Sequence, residues 1–446
     1  MLSQYLNSYK SSSPLVLFRI LFGLQMLLSL VRFWANGWIK TTYIDPIFHF
    51  KYYGFEWIES LGAYTYVLFF VAIISSIFIT IGYRYRISMI IFFLTFTYIE
   101  LIDKVTYLNH YYFISIVSFV MIFLPANSRL SVDSLSKNSP STKIPCWTID
   151  IIKLLLLLVY FYAGIAKINS DWLMNSNPLS IWLPSKFDLP LVGGLFSKYW
   201  VAILMSWCGM LFDVFIGFFL FHRKTSHYAY FFVIIFHVMT AILFPSIGMF
   251  PFIMITSTTI FLAPRYHDSL INRIETRFKI KSKEKKYIYK GLYERFTKIT
   301  LSIVILLQII IPLRYKLYEG EVFWNEEGYR FSWRVMLVEK TGVTNFTVIG
   351  ENNKRIMIKN EDFLTPFQQK QMSFQPDMIL EFAHYLGKNF EAKGFKNPKV
   401  NVDCFVSLNG RLAVRLIDPT INLLDYEESF SQKTWLLPFK YEIKRL

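Results

Sequence analysis

Lys167 is the residue of this sequence best placed to do chemistry. It lies in the stretch 160–173, which reads YFYAGIAKINSDWL, at the polar end of a hydrophobic run that carries no other charge from Tyr160 onward. An ionisable group at membrane depth costs roughly 2.5–3.5 kcal/mol at a helix centre and usually serves a function. An amine held out of water favours its neutral form, which can act as a base near pH 7. The alternative is that Lys167 ends a helix and extends to the lipid headgroups.

A second polar group lies in the segment LIDKVTYLNHYYF, which joins two apolar runs and contains Asp103, Lys104, Asn109 and His110. Asn109 and His110 open the following helix, where a side chain can cap free backbone N–H groups. Capping is one interpretation of Asn109. A neutral imidazole at a helix start could instead bind a developing anion or a polar group of a substrate.

The third candidate is FHVMTAILFPSIGMFPF, residues 236–252, in which His237 is the one ionisable residue. A lone histidine on an apolar face is more often structural than catalytic. The run 247–251 contains Gly248 and Pro251, so we expect it to interrupt a helix and to line a cavity. Aromatic residues and Met249 there suit a flat apolar ligand, and ordinary helix packing is the alternative.

Asp171 and Trp172 follow the lysine directly. They are typical of an anchor at the membrane interface. Asp171 could alternatively orient Lys167, or pair with Lys186 or Arg334. Spacing alone leaves these alternatives open.

The composition indicates a membrane protein. The chain has 446 residues, of which 54% are hydrophobic and 19% aromatic, and its net charge is +16. Eleven Lys and Arg residues fall within 265–298, between two apolar runs. A cytoplasmic loop beside anionic lipid explains this charge better than nucleic-acid binding, which we exclude. Three cysteines without a CxxC or Cys/His cluster predict neither a metal site nor a disulfide framework.

Nine apolar runs are candidates for crossing a bilayer, which takes about 20 helical residues. They cover 14–32, 63–83, 87–103, 109–125, 149–168, 200–221, 226–244, 247–263 and 299–313. With the N-terminus in the cytoplasm, the inner loops hold the following basic residues besides the 265–298 group: Arg84, Arg86, Arg129, Lys137, Lys143, Arg223 and Lys224. This distribution follows the positive-inside rule and places Lys167, Asn109 and His110 on the outer side.

Beyond residue 313 charged residues become frequent and no further run is long enough to span a membrane. We therefore predict two domains, a multi-span domain in 1–313 and a small α+β domain in 314–446 on the outer face. Alternation predicts strands at 344–349, 355–359, 400–407 and 412–416. Residues 376–390 predict an amphipathic helix, and Asn409-Gly410 predicts a hairpin turn. The fold class is mainly α, a polytopic transmembrane bundle followed by this domain.

Several stretches in order resemble the vitamin K-dependent γ-glutamyl carboxylase family, whose membrane part is called the horizontally transferred transmembrane domain. In the membrane part they are FRILFGLQMLL, GYRYRIS, LIDKVTYLNHYYF, YFYAGIAKINSDWL, FDVFIGFFLF and FHVMTAILFPSIGMF. Beyond it they are GYRFSWRVML, VDCFVSLNGRLAVRLIDP and TWLLPF. The resemblance covers nearly the whole chain.

The resemblance implies a carboxylase that uses reduced vitamin K (phylloquinol or menaquinol), O2 and CO2, without a metal, to convert Glu of a peptide or protein substrate into γ-carboxyglutamate. It implies that Lys167 deprotonates the quinol and that Asn109 and His110 assist proton transfer. The residues that we expect to contact the cofactor are Tyr160, Tyr162, Trp172, Phe236, His237, Met249 and Trp333. Asp103, Asp171 and Arg334 are expected to support them.

The sequence also departs from the animal enzymes. It stops soon after TWLLPF, lacks their cysteine pair, and carries Arg334, Glu339 and Lys340 around the SW motif. We therefore expect a bacterial protein in lipid with a periplasmic soluble domain, or a luminal one in a eukaryote. Two alternatives remain, namely a quinol oxygenase acting on a different acceptor or none, and a non-enzymatic membrane protein of the same fold.

Overall fold

The computed structural model describes residues 2–136, 140–280, 284–351 and 353–445. Its longer helices are α1 (Ser13–Ala35), α2 (Thr65–Ile81), α3 (Tyr85–Ile102), α4 (Asn109–Phe123), α5 (Trp147–Ile165), α6 (Tyr199–Phe221), α7 (Ser226–Leu243), α8 (Phe250–Thr258), α9 (Pro264–Arg277), α10 (Gly291–Ile310), α11 (Pro366–Met372) and α12 (Pro376–Ala392). Short helical turns lie at Leu2–Leu6, Val132–Ser136, Ser170–Leu173, Leu179–Trp182, Gly193–Phe196 and Val322–Asn325.

All nine predicted apolar runs coincide with helices. Within the described residues, seven helices are long and apolar enough to cross a membrane, which confirms a mainly α membrane protein. The helices at the remaining two predicted runs, Asn109–Phe123 and Phe250–Phe261, are apolar but shorter. The interruption predicted near 247–251 is present, because α7 ends at Leu243 and Gly248 has a left-handed φ of 65° before α8 begins.

The predicted inner loops meet at one end of the helix bundle. There Arg86 donates to the Tyr287 hydroxyl at 2.9 Å, and Arg129 pairs with Glu275 at 2.6 Å. The strands β1 (Tyr9–Ser11) and β2 (Lys143–Pro145) form a small antiparallel sheet at this end. Of the basic residues assigned to the inner loops, Lys137, Lys281 and Lys283 lie outside the described residues.

The opposite end carries the α+β domain. Its antiparallel sheet has the order β4-β3-β5-β6 and is built from the following strands: β3 (Lys340–Ile349), β4 (Arg355–Met357), β5 (Lys399–Leu408) and β6 (Val414–Arg415). Lys340 pairs with Leu408 and Ile349 with Lys399. The four strands, the helix α12 and the turn at Asn409-Gly410 confirm the predictions made from alternation and turn residues.

The sheet buries one face against α12, whose apolar residues alternate with polar ones at helical spacing. The resulting core continues into the membrane domain, because Phe50 and Val105 pack with Phe346 and Phe382 in one cluster. The predicted domain boundary at residue 313 falls in the 3-10 turn Ile311–Leu317 and remains a prediction. The two parts are therefore packed together rather than joined by a free linker.

Candidate active site

The close crossing of α5 and α6 depends on Gly164. A Cβ atom at this position would lie 2.6 Å from the backbone nitrogen of Val214, closer than packed atoms approach. Small residues allow membrane helices to pack backbone against backbone. This approach brings Lys167, just beyond the end of α5, to Asp213 in the middle of α6.

Lys167 is buried, and its amine has two hydrogen-bond acceptors. Its Nζ donates to Oδ2 of Asp213 at 2.7 Å and to the carbonyl oxygen of Ala163 at 3.2 Å, and it lies 5.2 Å from the centroid of the Trp172 ring. Lys167 is 5% exposed and Asp213 is 6% exposed. Burial disfavours both charges, whereas their pairing favours both. The interpretation that Lys167 extends to the lipid headgroups is therefore wrong.

The pair lies in the wall of an apolar cavity with an empty volume of about 790 Å³, its opening included. The wall is formed by helices α5, α6, α7 and α8, the short helical turns at Ser170–Leu173 and Leu179–Trp182, and the segment 335–336. The lining residues include Tyr160, Ala163, Lys167, Trp172, Trp182, Met205, Asp213, Phe236, His237, Phe250, Val335 and Met336. Ligand sites are typically of this kind, mostly apolar with a few polar groups at fixed positions.

A second polar pair lines the same cavity. The Tyr160 hydroxyl lies 2.9 Å from Nε2 of His237, and His237 is 1% exposed. Nδ1 of His237 is buried without a hydrogen-bond partner among the described residues. Tyr160 and Lys167 are seven residues apart, so they share one face of α5. The cavity wall thus contains one amine–carboxylate pair and one tyrosine–histidine pair.

The structure brings together five of the predicted residues, which line the cavity: Tyr160, Lys167, Trp172, Phe236 and His237. Met249, Tyr162 and Trp333 are not among its lining residues. The Tyr162 hydroxyl instead donates to the Ile309 carbonyl at 2.7 Å, which ties α5 to α10. None of these three lines this cavity, and their predicted contact with a cofactor stays a prediction.

Asn109 and His110 lie behind the cavity wall. The Asn109 amide donates to the backbone carbonyl of Arg334 at 2.8 Å, and its side chain does not cap α4. The capping interpretation is therefore wrong. The His110 ring lies 5.9 Å from the ring of Phe250, which in turn lies 5.7 Å from the ring of His237. Phe250 is thus in contact with both histidines.

The segment 328–337, which carries the SW motif, enters the helix bundle from the α+β domain. Trp333 is 2% exposed and its ring lies 4.9 Å from that of Tyr112 in α4. Phe331, Trp333 and Met336 have φ of 60°, 58° and 52°. Such left-handed conformations are strained for bulky side chains and persist only where the surroundings enforce them. Val335 and Met336 of this segment line the cavity, while Trp333 packs against α4.

The two predicted supporting aspartates hold the domains together. Asp103 accepts from the Val105 backbone at 3.0 Å and from the Gln368 amide in α11 at 3.0 Å. Asp171 forms a bidentate pair with Arg411, at 2.6 and 2.7 Å, and accepts from the Asn409 amide at 2.7 Å. The alternatives that Asp171 orients Lys167, or pairs with Lys186 or Arg334, are wrong.

Family comparisons agree with this architecture. The model of the HTTM domain family matches residues 7–266, which is more than half of the chain, and the model described as "Vitamin K-dependent gamma-carboxylase, lumenal domain" matches residues 293–442. The chain belongs to the vitamin K-dependent gamma-carboxylase family. No solved structure matches it. The cavity of this carboxylase-family chain lies in the first match, with Val335 and Met336 contributed by the second.

Sequence reasoning on this family member missed Asp213. It is the one ionisable residue in the predicted span 200–221, within FDVFIGFFLF. The argument that singled out Lys167, the cost of a charge at membrane depth, applies equally to Asp213 and could have found it. The contributions of Gly164 and Met336 carry no comparable signal, because they depend on how distant segments pack.

Proposed function

We propose that this protein is a vitamin K-dependent γ-glutamyl carboxylase. The observation that carries the proposal is the Lys167–Asp213 pair in the wall of an apolar cavity, in a chain of the carboxylase family. The γ-proton of a glutamate is too weakly acidic for a side chain to remove, so a cofactor must supply the base. Reduced vitamin K supplies it when bound, because its oxidation by O2 to the epoxide generates a base strong enough to allow CO2 to add at the γ-carbon.

The lining residues fit such a cofactor. Phe236, Phe250 and Trp172 offer faces to a flat apolar ring, and Nδ1 of His237 can hydrogen-bond a ring hydroxyl. Asp213 and Lys167 can bind the other polar edge of the ring. The apolar wall also excludes water, which would otherwise quench a strong base.

Lys167 is proposed to take the proton from the quinol hydroxyl. A phenolic hydroxyl has a pKa near 10, within reach of a lysine amine. Oδ2 of Asp213, 2.7 Å from Nζ, can hold the proton that the pair shares while Nζ is a neutral amine, and it keeps Nζ in position. We propose that His110 and Asn109 do not contact the quinol ring directly. They would act on the cavity through Phe250 and through the Arg334 carbonyl.

We further propose that the α+β domain lies on the luminal or periplasmic side and the basic end of the bundle in the cytoplasm. The matched luminal-domain family and the clustering of Arg84, Arg86 and Lys285 at the opposite end support this orientation. The substrate, a Glu-containing peptide or protein, then reaches the cavity from the side of the soluble domain.

The test uses purified protein in detergent with reduced vitamin K, labelled bicarbonate and a Glu-rich peptide. Epoxide and peptide-bound label are measured together for wild type, Lys167→Ala, Asp213→Asn and a control, Lys153→Ala. Lys153 lies in the same helix α5 but does not line the cavity. Wild type and the control should form both products. Lys167→Ala should form neither, and Asp213→Asn should be slower by about tenfold to a hundredfold.

Two outcomes would contradict the proposal. Epoxide without peptide-bound label would identify a quinol oxygenase with another acceptor or none. Neither product from wild type with a normal thermal unfolding transition would leave a non-enzymatic member of the family.

A further inference from the structure

A second cavity lies directly beside the first, with an empty volume of about 500 Å³ including its opening. The end of α5 and the inserted segment 328–337 each contribute residues to both cavities. At the end of α5, Ala166 lines the second cavity and Lys167 the first. In the inserted segment, Arg334 lines the second cavity and Val335 the first. A ligand in one cavity is therefore only a few residues of extended chain away from the other.

Two arginines in this second cavity have no anionic partner. Arg334 is 7% exposed and its guanidinium carbon lies 4.4 Å from the centroid of the Tyr315 ring. The guanidinium carbon of Arg445 lies 4.5 Å from the same ring. Neither guanidinium forms an ion pair or hydrogen bond within the part of the chain that the structure describes, and Nε of Arg334 is buried and unpaired. A charge that is buried without a partner destabilises the fold, so the burial of the unpaired Arg334 points to a ligand that binds it.

Arg411 is a nearby arginine whose guanidinium does have a carboxylate partner. It pairs with both oxygens of Asp171, and this hydrogen bonding raises the pKa of its guanidinium. Burial lowers the pKa of Arg334, and the nearby charge of Arg445 lowers it further. Glu321 lies near enough to Arg334 to offset part of this lowering, but no carboxylate is hydrogen-bonded to Arg334 in the described residues as Asp171 is to Arg411.

The one carboxylate that lines the second cavity does not neutralise both arginines. Glu321 accepts from the Phe323 backbone at 3.1 Å and forms no ion pair with either arginine. Burial raises the pKa of Glu321, although both arginines act to lower it, and even an ionised Glu321 would balance only one of the two guanidiniums. The cavity therefore keeps an excess of positive charge.

We propose that this second cavity binds the carboxylate of an additional acidic side chain of the substrate peptide, close in sequence to the glutamate that reacts. The inference rests on the proposed function, because that function supplies the peptide. A guanidinium binds a carboxylate through two parallel N–H···O bonds, and Arg334 and Arg445 together could hold one carboxylate from two sides. An extended chain covers about 3.3 Å per residue, so the second acidic residue would lie within about two to four positions of the first.

Peptide binding is measured by fluorescence anisotropy in detergent, without quinol or bicarbonate, so that the result does not depend on turnover. The probes are a labelled peptide with two glutamates three positions apart and the same peptide with one glutamate changed to Gln. Wild type should bind the first peptide about tenfold more tightly. Arg334→Gln and Arg445→Gln should remove that difference. Glu321→Gln keeps the acceptor for the Phe323 amide and should tighten binding.

Control measurements test whether the cavity prefers a carboxylate to a phosphate. Lys153→Ala should behave as wild type, and glutarate should displace the peptide better than inorganic phosphate at equal ionic strength. The proposal is overturned if both peptides bind equally to wild type, or if phosphate displaces as well as glutarate. Arg445 is exposed, so Arg445→Gln tests the site even where Arg334→Gln does not fold. Absence of carboxylation in wild type would count against the proposed function and leave this binding result standing.

Discussion

Lys104 and Lys167 are both buried lysines that meet a carboxylate from a distant part of the chain, yet their surroundings differ. Lys104 is 4% exposed and bridges Asp377 at 3.0 Å and Glu381 at 2.9 Å, both in α12 of the α+β part of the chain. Arg330 pairs with the same Asp377 at 2.6 Å. Lys167 has one carboxylate partner, and an apolar cavity lies beside it.

The comparison shows how the neighbours of a buried lysine indicate its role. Around Lys104 two cations meet two carboxylates, which fastens α12 to the loop between α3 and α4. Around Lys167 the remaining neighbours are apolar or aromatic, and free space adjoins the amine. A balanced polar cluster suits docking, whereas a single pair beside an apolar cavity can give and receive a proton. Variants that remove each pair as a unit should separate the two roles.

The largest effect should come from replacing the cavity pair by apolar residues, Lys167→Met together with Asp213→Leu. Carboxylation should fall by about 10³-fold, because the proton acceptor is gone. Stability should be kept, since an isolated buried ion pair can be exchanged for apolar residues at little cost. Both quantities are read from labelled-bicarbonate incorporation and from the thermal unfolding midpoint in detergent. Retained carboxylation in the double variant would remove Lys167 from the mechanism.

The equivalent exchange at the domain contact, Lys104→Met together with Asp377→Leu, should act on stability instead. It leaves Arg330 and Glu381 without their ion-pair partners, so we expect a loss of about 3 kcal/mol in the free energy of unfolding. A lower unfolding midpoint and faster proteolysis between the domains would show it. Unchanged stability with lost activity would mean that this cluster, too, belongs to the active site.

Sequence patterns predicted the helices and most strands because these signals are local. Long apolar runs specify α1 to α8, and Asn409-Gly410 specifies the hairpin between β5 and β6. The insertion of residues 328–337 into the bundle has no local signal. It depends on left-handed backbone at Phe331, Trp333 and Met336, which bulky residues adopt only when a surrounding structure holds them.

The candidate site was predictable in part for the same reason. Lys167 and His237 are rare ionisable residues in apolar runs, and the cost of burying them marks them in the sequence. The partners of Asn109, Asp171 and Lys104 lie more than 200 residues away along the chain. Spacing cannot reveal such pairs, and each was left open or misassigned as a result.

The smallest effect we predict is on the pH dependence of the domain contact. Burial alone would raise the pKa of Asp377, but Arg330 and Lys104 beside it hold that pKa well below its usual range. A carboxyl whose pKa is lowered by folding stabilises the protein above its unfolded-state pKa, near 4, and loses that contribution as the pH falls further. Stability should therefore drop by about 1 kcal/mol between pH 5 and pH 3 from this group.

Glu381 contributes to the pH dependence of stability with the opposite sign. Burial raises its pKa in spite of Lys104, so its protonation in mild acid does not weaken the folded state and partly offsets the loss at Asp377. Unfolding midpoints at pH 7, 5, 4 and 3.5, compared between wild type and the Lys104→Met/Asp377→Leu variant, isolate this contribution. The difference between the two proteins should shrink below pH 4, because only wild type has an Asp377 carboxylate to protonate. A difference that stays constant down to pH 3.5 would show that the charge of Asp377 does not stabilise the contact.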